Sequence, residues 1–449
     1  MTTPRQRELD TKSDELHKNI IEGITGPKRL AIVEAPPGSG KTFMLLRVLS
    51  SLADVGWRVA VAAQTNKQAD DISRQLAGFP GYCGASVVRF TSKNYIPSIA
   101  MPHNVRLIEK TDELPTGPQV IISTSAKWGF VGEVEEFDLL AVDEAWQMNW
   151  ATLMQCGNLA GRYLLIGDPG QIPPVTTVNV NRWGTSDRAP HKAAPIVALS
   201  DTQFEETRFH GKLPACRRLP AEAVPFVKMF YDFDFDAYAE NQERAFVAPT
   251  TDSTGGINDV LGKLSDLKPV VATIPTPTDG PPASVDIELA RTISKIADAL
   301  ITEGIQIRTK EGGALSQVSQ ADIGVTSTHR AMNGAIRKAL GPKLSQVVVD
   351  TPERWQGLEK PIMIAVHPLS GVTEPSEFDL ETGRLCVMTS RQTAGLILVT
   401  RDHVGETIVN TIPAATQAPG EPDRTGRGRR AHLEFWEMVE QNGRLVSLS

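Results

Sequence analysis

Between Ala35 and Thr42 the chain reads APPGSGKT, a spacing of glycines, lysine and hydroxyl that suits a phosphate group. Gly38 and Gly40 open backbone conformations closed to residues carrying a Cβ. Successive N–H groups from Ala35 through Ser39 and Gly40 can then converge on an anion at a helix N-terminus. Lys41 adds a positive charge for the β- and γ-phosphates, and Thr42 a hydroxyl for Mg²⁺. The leading glycine of the usual pattern is Ala35 here. Asp143 and Glu144 directly follow the apolar run LLAV. Asp143 is suited to hold Mg²⁺, and Glu144 to orient and deprotonate the water that attacks the γ-phosphorus. In GDPGQIPPV (Gly167 to Val175), Asp168 and Gln171 stand on a Gly/Pro-rich turn whose stiff backbone can aim Gln171 at the γ-phosphate. The chemistry these groups would do together is the Mg²⁺-dependent hydrolysis of a nucleoside triphosphate.

Such groups need a sheet that brings them to one edge. The run Leu30 to Val33 reads as a buried strand, and FMLLRVLSSL after Thr42 has apolar residues at helical spacing. RVAVAAQT (Arg58 to Thr65), QVIIST (Gln119 to Thr124), FDLLAVDEA (Phe137 to Ala145) and RYLLIGD (Arg162 to Asp168) follow. Each is a short apolar run ending in small or polar residues, which predicts an α/β fold with a parallel sheet and its ligands at the carboxyl ends of the strands. A second series comprises segments 321–330, 345–351, 361–367, 384–391 (RLCVMTSR) and 394–400, with no second phosphate loop. Two lobes are expected: 1–205, holding the nucleotide, and 206–410, with 411–449 as a C-terminal tail. Between the two series, 221–231 reads as a helix, the Pro/Thr/Gly-rich stretch 247–284 as a loop or linker insertion, and Ile287 to Ile301 as a helix.

Bulk properties narrow the class. With 449 residues, 41% hydrophobic and 22% charged, the chain is long enough for two or three ordinary globular domains. No apolar stretch approaches a membrane span and the N-terminus is polar, which points to a cytoplasmic protein with no membrane partner. Four scattered cysteines support neither a disulfide framework nor a zinc site. The net charge of −7 argues against coating nucleic acid through general positive charge, so any such contact must be local. The cluster RTGRGRR (Arg424 to Arg430) reads as a solvated tail, with a phosphate-binding arm as the alternative.

The order of motifs resembles the superfamily 1 helicases, within them the branch of Upf1-like and Dna2-like enzymes. APPGSGKT is similar to motif I, AAQTNKQADDI (Ala62 to Ile72) to motif Ia, VDEAWQ (Val142 to Gln147) to motif II, and GDPGQIPPV to motif III. VDTPERWQGLE (Val349 to Glu359) resembles motif V, VMTSRQ (Val387 to Gln392) motif VI, TSTHRAMN (Thr326 to Asn333) motif IV, and PACRRLP (Pro214 to Pro220) the arginine motif after motif III.

The resemblance implies that two RecA-like lobes hydrolyse ATP between them and travel along single-stranded DNA, with RNA as the alternative track. It assigns Arg391 as the arginine finger and Arg218 as a second such arginine, with Arg217 as its alternative. Gln356 and Glu359 would lie near the nucleotide. Thr65, Asn66, Thr124 and Ser125 would bind strand phosphates. Trp128 is a candidate base-stacking platform, with core packing as the other reading; Trp355 shares that ambiguity. His17 stands near the position of the family's adenine-reading glutamine, and Gln392 replaces the usual alanine of motif VI. Two rival functions are an ATP-switched clamp or signalling ATPase that does not travel, and a metabolic kinase.

Overall fold

Strands that are apolar at successive positions must be covered on both faces, and the N-terminal half meets that demand with a fully parallel sheet. The structure is a computed structural model describing residues 2–82, 87–132, 134–176, 178–183, 185–240, 243–249, 256–310, 312–412 and 423–448. Its contacts divide the chain into two units, one of Met1–Pro169 and Pro173–Pro214, the other of Gly170–Ile172 and the described residues from Ala215 onward.

Unit 1 carries β1 (Leu30–Glu34), β2 (Arg58–Ala63), β3 (Val87–Phe90), β4 (Val105–Ile108), β5 (Gln119–Thr124), β6 (Leu139–Asp143), β7 (Tyr163–Gly167) and β8 (Arg208–Lys212). They form an eight-stranded sheet in the order β4-β3-β5-β2-β6-β7-β1-β8. Alternate residues serve opposite layers. Ala31 and Val33 of β1 pack with α1 (Pro4–Thr25), α2 (Lys41–Asp54) and α3 (Asn66–Ala77). Leu30 and Ile32 join the layer that includes Trp128 of α4 (Ser125–Trp128), Leu153 of α5 (Trp150–Cys156) and Ala194 of α6 (Ala194–Ser200). The sequence reading lacked β3, β4 and β8. β8 (RFHGK) is an edge strand with one large apolar residue. β3 buries Arg89, which is fully enclosed because its Nε donates to Asp70 Oδ1 of α3 at 2.8 Å. A charged residue inside a short strand hides the apolar signature unless its partner is known.

Unit 2 repeats the plan. Its strands are β9 (Ala215–Cys216), β10 (Asp236–Ala237), β11 (Ala245–Val247), β12 (Val270–Ile274), β13 (Gln306–Arg308), β14 (Ser316–Gln317), β15 (Ile323–Thr326), β16 (Val348–Asp350), β17 (Lys360–Val366), β18 (Gln392–Arg401) and β19 (Leu445–Ser447). Six of them make a parallel sheet ordered β16-β15-β17-β18-β12-β19. One face packs α8 (Gly256–Lys263), α9 (Ile287–Thr302) and α10 (Arg330–Leu340). The other packs α12 (Thr382–Thr389), α13 (Val404–Asn410) and α14 (Arg424–Gln441), with the short α7 (Pro225–Lys228). Trp355 ends the one-turn α11 (Pro352–Trp355) and belongs to this second layer.

Three expectations for this half are corrected. Segment 384–391 is not a strand: it lies mostly in α12, where Leu385, Cys386, Val387 and Met388 are all buried, so apolar continuity came from a helix enclosed on every side. The stretch 247–284 is not merely a linker, because it contains α8 and the five residues of β12, which sits between β18 and β19. The C-terminal segment is not a free tail. α14 seats Phe435, Trp436 and Val439 in the second layer, and β19 pairs with β12. Within the basic cluster, Arg429 donates from Nε to Ile408 O at 3.2 Å and from Nη2 to Val409 O at 2.9 Å. Among the described residues, no helix is long and apolar enough to cross a membrane.

His432 of α14 is fully buried, with neither ring nitrogen hydrogen-bonded, and its ring centroid lies 5.2 Å from that of buried His367. Burial pushes the His432 imidazole down to about 4. The unfolded chain therefore holds the extra proton more readily, and the stability this group contributes is complete above its ordinary value of about 6.5 and lost as pH falls towards about 4. Thermal melts across this range should show the loss, and His432→Leu should flatten it. An equally steep acid limb in the variant would contradict the assignment.

Candidate functional site

The phosphate loop leaves the carboxyl end of β1. Gly38 (φ 62°) and Gly40 (φ 83°) take the left-handed conformation that the sequence requires of them. Gly40 precedes α2 without a side-chain cap, so the first N–H groups of the helix stay available to an anion. Ala35 N donates to Gly167 O at 2.8 Å, which ties the loop to the end of β7. Ser39 is buried and its Oγ has no hydrogen-bond partner. Thr42 is the second residue of α2, half-buried.

β6 lies two strands from β1, and its end delivers the acids. Lys41 Nζ stands 3.6 Å from Asp143 Oδ1 and in close contact with Glu144 Oε1. All three side chains are at most 13% exposed. Burial disfavours the Lys41 charge, but Asp143, Glu144 and Asp168 outweigh it and hold the ammonium above its ordinary range. Burial likewise pushes the Asp143 carboxyl up, against the pull of Lys41. Glu144 occupies a left-handed backbone conformation (φ 52°, ψ 44°) that costs a non-glycine residue energy. Gly167 gives room for that turn: a Cβ there would lie 2.8 Å from Ala145 N and 2.9 Å from the Trp146 ring. The donor set suits a hard cation, since Asp143 Oδ1 is buried without a hydrogen-bond partner and Thr42 adds a hydroxyl, both oxygen ligands.

His17 of α1 lies within 3.2 Å of Ser51 Oγ on α2, in Nε2 contact. Gln171 groups with unit 2, where Gly383 at the start of α12 has no room for a Cβ against the Gln171 backbone, 2.7 Å away. Arg218 donates from Nε to Glu359 Oε2 at 2.7 Å and from Nη1 to Ser390 O at 3.1 Å, next to Arg391. Arg218, Glu359 and the 390–391 junction are thus brought together. Arg391 is 1% exposed between α12 and β18, and its carbonyl accepts from Lys360 N at 3.0 Å. Gln356 has its Nε2 buried without a hydrogen-bond partner. Arg217 lies instead over the Tyr238 ring at 3.9 Å. Gln392 caps the same junction through Nε2 to Thr389 O at 2.8 Å.

Adjacent strands β2 and β5, in register at Ala63 and Thr124, carry the proposed strand-binding residues to one sheet edge. Thr65 is exposed and caps α3, accepting from Gln68 N at 3.2 Å. Asn66 is exposed, with its Oδ1 held by Arg89 Nη2 at 2.9 Å. Thr124 Oγ1 accepts from Lys127 N at 3.2 Å, and Ser125 is buried. Trp128 is corrected: it is 1% exposed, its Nε1 donates to Val61 O at 2.9 Å, and it packs against Phe90 and Phe137, so no base can reach its face. Trp355 is equally buried, donating to Val325 O at 3.1 Å. The sequence reading missed Phe130, two residues beyond Trp128 and 91% exposed, because type alone does not tell an anchor from a display.

An AAA domain family model matches residues 15–193. The human DNA replication ATP-dependent helicase/nuclease DNA2 is 22% identical over 384 residues, covering 77% of this chain and 34% of that protein. The Schizosaccharomyces pombe helicase required for RNAi-mediated heterochromatin assembly 1 is 38% identical over 101 residues, 22% of this chain and 9% of that one. The chain therefore spans about a third or less of the length of these relatives. An arterivirus nonstructural protein 10 helicase solved with DNA aligns over 88% of this chain and 65% of its own, at 15% identity and a TM-score of 0.42.

Removing the cation should expose the cost of the buried acids. In Lys41→Met, Asp143 and Glu144 lose their counter-charge and the Asp143 carboxyl rises further. A carboxyl raised in the folded state stabilises only while protonated, so the deficit should grow as pH rises. We expect unit 1 to lose about 3 kcal/mol at pH 8 and less at pH 5. Chemical denaturation at the two pH values measures it, and a deficit independent of pH would refute the electrostatic account.

Proposed function

We propose that this chain, a superfamily 1 helicase by motif order and by relatives, hydrolyses ATP to move along single-stranded DNA, or RNA in its place, in the cytoplasm. The observation that carries the reading is Lys41, buried against Asp143 and Glu144 at the end of a phosphate-gripping loop. A lysine in that position exchanges its carboxylate partners for the phosphates of the incoming nucleotide. The N–H groups of the loop and of the uncapped α2 receive the rest of the negative charge. Freed from Lys41, Glu144 is left to align a water and take its proton, and its strained backbone fixes the direction of that carboxylate. Thr42 and Asp143 would hold Mg²⁺, which when bound neutralises charge on the phosphate oxygens.

Unit 2 has a parallel sheet of the same kind without a phosphate loop of its own, and its chemistry-bearing groups are arginines. Arg391, and Arg218 steered by Glu359, are proposed to stabilise the charge that develops during transfer of the γ-phosphoryl group. Gln171 stands in a turn grouped with that unit although it follows β7 of unit 1, a placement suited to coupling hydrolysis with motion. The boundaries 1–205 and 206–410 serve as working limits of the ATP-binding and arginine-bearing lobes.

ATP turnover measured alone and with single-stranded DNA or RNA tests the reading. Strong stimulation is expected, and its absence with both polymers would refute it. Strand displacement then separates a motor from an ATP-switched clamp. Arg391→Ala should reduce hydrolysis by roughly 10³- to 10⁵-fold while a fluorescent ATP analogue still binds. Undiminished turnover would remove Arg391 from the mechanism.

A further inference from the structure

The segment closing α4 holds an aromatic ring ready for use. Its backbone is fixed by Gly129 N to Ser125 O at 2.9 Å, Phe130 N to Lys127 O at 3.2 Å and Val131 N to Trp128 O at 3.1 Å. Trp128 is pinned in the core by its ring and its indole N–H, so the turn has little freedom. Phe130 consequently projects its ring into solvent at 91% exposure, an arrangement with a hydrophobic cost and no packing return.

The ring forms one wall of a cavity of about 270 Å³ lying wholly within unit 1. The other walls are amide-rich: Gln64, Gln147, Asn149 and Gln155, with Ser125 at the side. Asn149 is committed to capping α5, its Oδ1 accepting from Thr152 N at 2.8 Å. Gln147 is not committed: its Nε2 is buried and has no hydrogen-bond partner. An aliphatic side chain or lipid tail would leave that donor unpaired, at the cost attached to a buried polar group. A nucleobase has what both surfaces ask for, a π face for the ring and carbonyl or ring-nitrogen acceptors at its edge.

We propose that this cavity receives one unstacked nucleobase of the bound single strand, its face on Phe130 and its polar edge towards the amides of Gln147 and Gln155. The inference rests on the single-strand reading above and narrows it: unit 1 grips a base as well as phosphates. Continuity with the sheet edge supports this, since Gln64 immediately precedes Thr65, and Ser125 lines the cavity. The site also shares a turn with the catalytic carboxylates. Gln147 N donates to Glu144 O at 2.8 Å, so a base seated on the Gln147 amide acts on the same turn that carries the catalytic glutamate.

Fluorescence anisotropy with the full chain tests the proposal, using a labelled oligothymidylate and an abasic strand of equal length that keeps the sugar–phosphate backbone. Wild type should prefer the base-bearing strand, and Phe130→Ala should weaken its binding by roughly 5- to 100-fold while leaving abasic binding unchanged. Phe130→Trp should restore the preference. Equal affinity of wild type for the two strands, or an unchanged Phe130→Ala, would overturn the base pocket while leaving the single-strand reading intact. Failure of wild type to bind either strand would overturn both. Displacement of the oligonucleotide by free thymidine monophosphate at equal nucleotide concentration would assign the cavity to a mononucleotide and overturn the strand-bound proposal.

Discussion

Lys41, Asp143 and Glu144 place one cation and two carboxyls in a space almost closed to water, and the architecture of unit 1 follows from the need to hold them there. Ions removed from water are tolerated only where opposite charge is positioned accurately. Here the accuracy comes from strand ends. β1 and β6 are fixed in one parallel sheet with β7 between them, and the apolar residues of these three strands pack on both faces, so the loop after β1 and the acids after β6 cannot drift apart. Gly167 lets the turn after β6 approach β7 closely enough to complete the arrangement. Burial holds the Asp143 carboxyl up against the pull of Lys41, and the site sets two acids against one lysine.

The second unit has a similar parallel scaffold, and it carries candidate groups of the opposite charge. Its site candidates are guanidiniums, one steered by a carboxylate and a backbone carbonyl, the other buried where α12 gives way to β18. That scaffold depends on chain segments far apart in sequence. β12 arises from a region of Pro, Thr and Gly, and β19 lies at the C-terminal end, yet the two pair directly. The basic cluster that opens α14 spends Arg429 on the exposed carbonyls of α13 and so closes a helix end.

The edge formed by β2 and β5 shows how one short helix can serve core and surface at once. Trp128 satisfies its indole N–H on Val61 and fills the layer beneath the sheet. The same turn sends Phe130 outward beside a set of amides. Buried Arg89 performs a related double duty, balanced by Asp70 and reaching Asn66 at the entrance to α3. Rigid anchors below the edge thereby determine which side chains above it face solvent.

The identity of the phosphate loop, the paired acids and the parallel α/β class were fixed by local sequence, because glycine conformational freedom, charge adjacency and apolar runs are properties of a few consecutive residues. Burial and pairing between distant segments are not local. RLCVMTSR was a strand by its apolar continuity and became a helix because both the sheet and neighbouring helices cover it. Two aromatic residues within three positions were equal candidates until tertiary packing enclosed Trp128 and exposed Phe130. Likewise Arg218 and Glu359, separated by 141 positions, acquired a common role only when the fold brought their side chains to 2.7 Å. Residue type and order supplied the chemistry available to this chain; the three-dimensional arrangement chose which groups could use it, since solvent access and opposite charge are set by neighbours the local sequence does not contain.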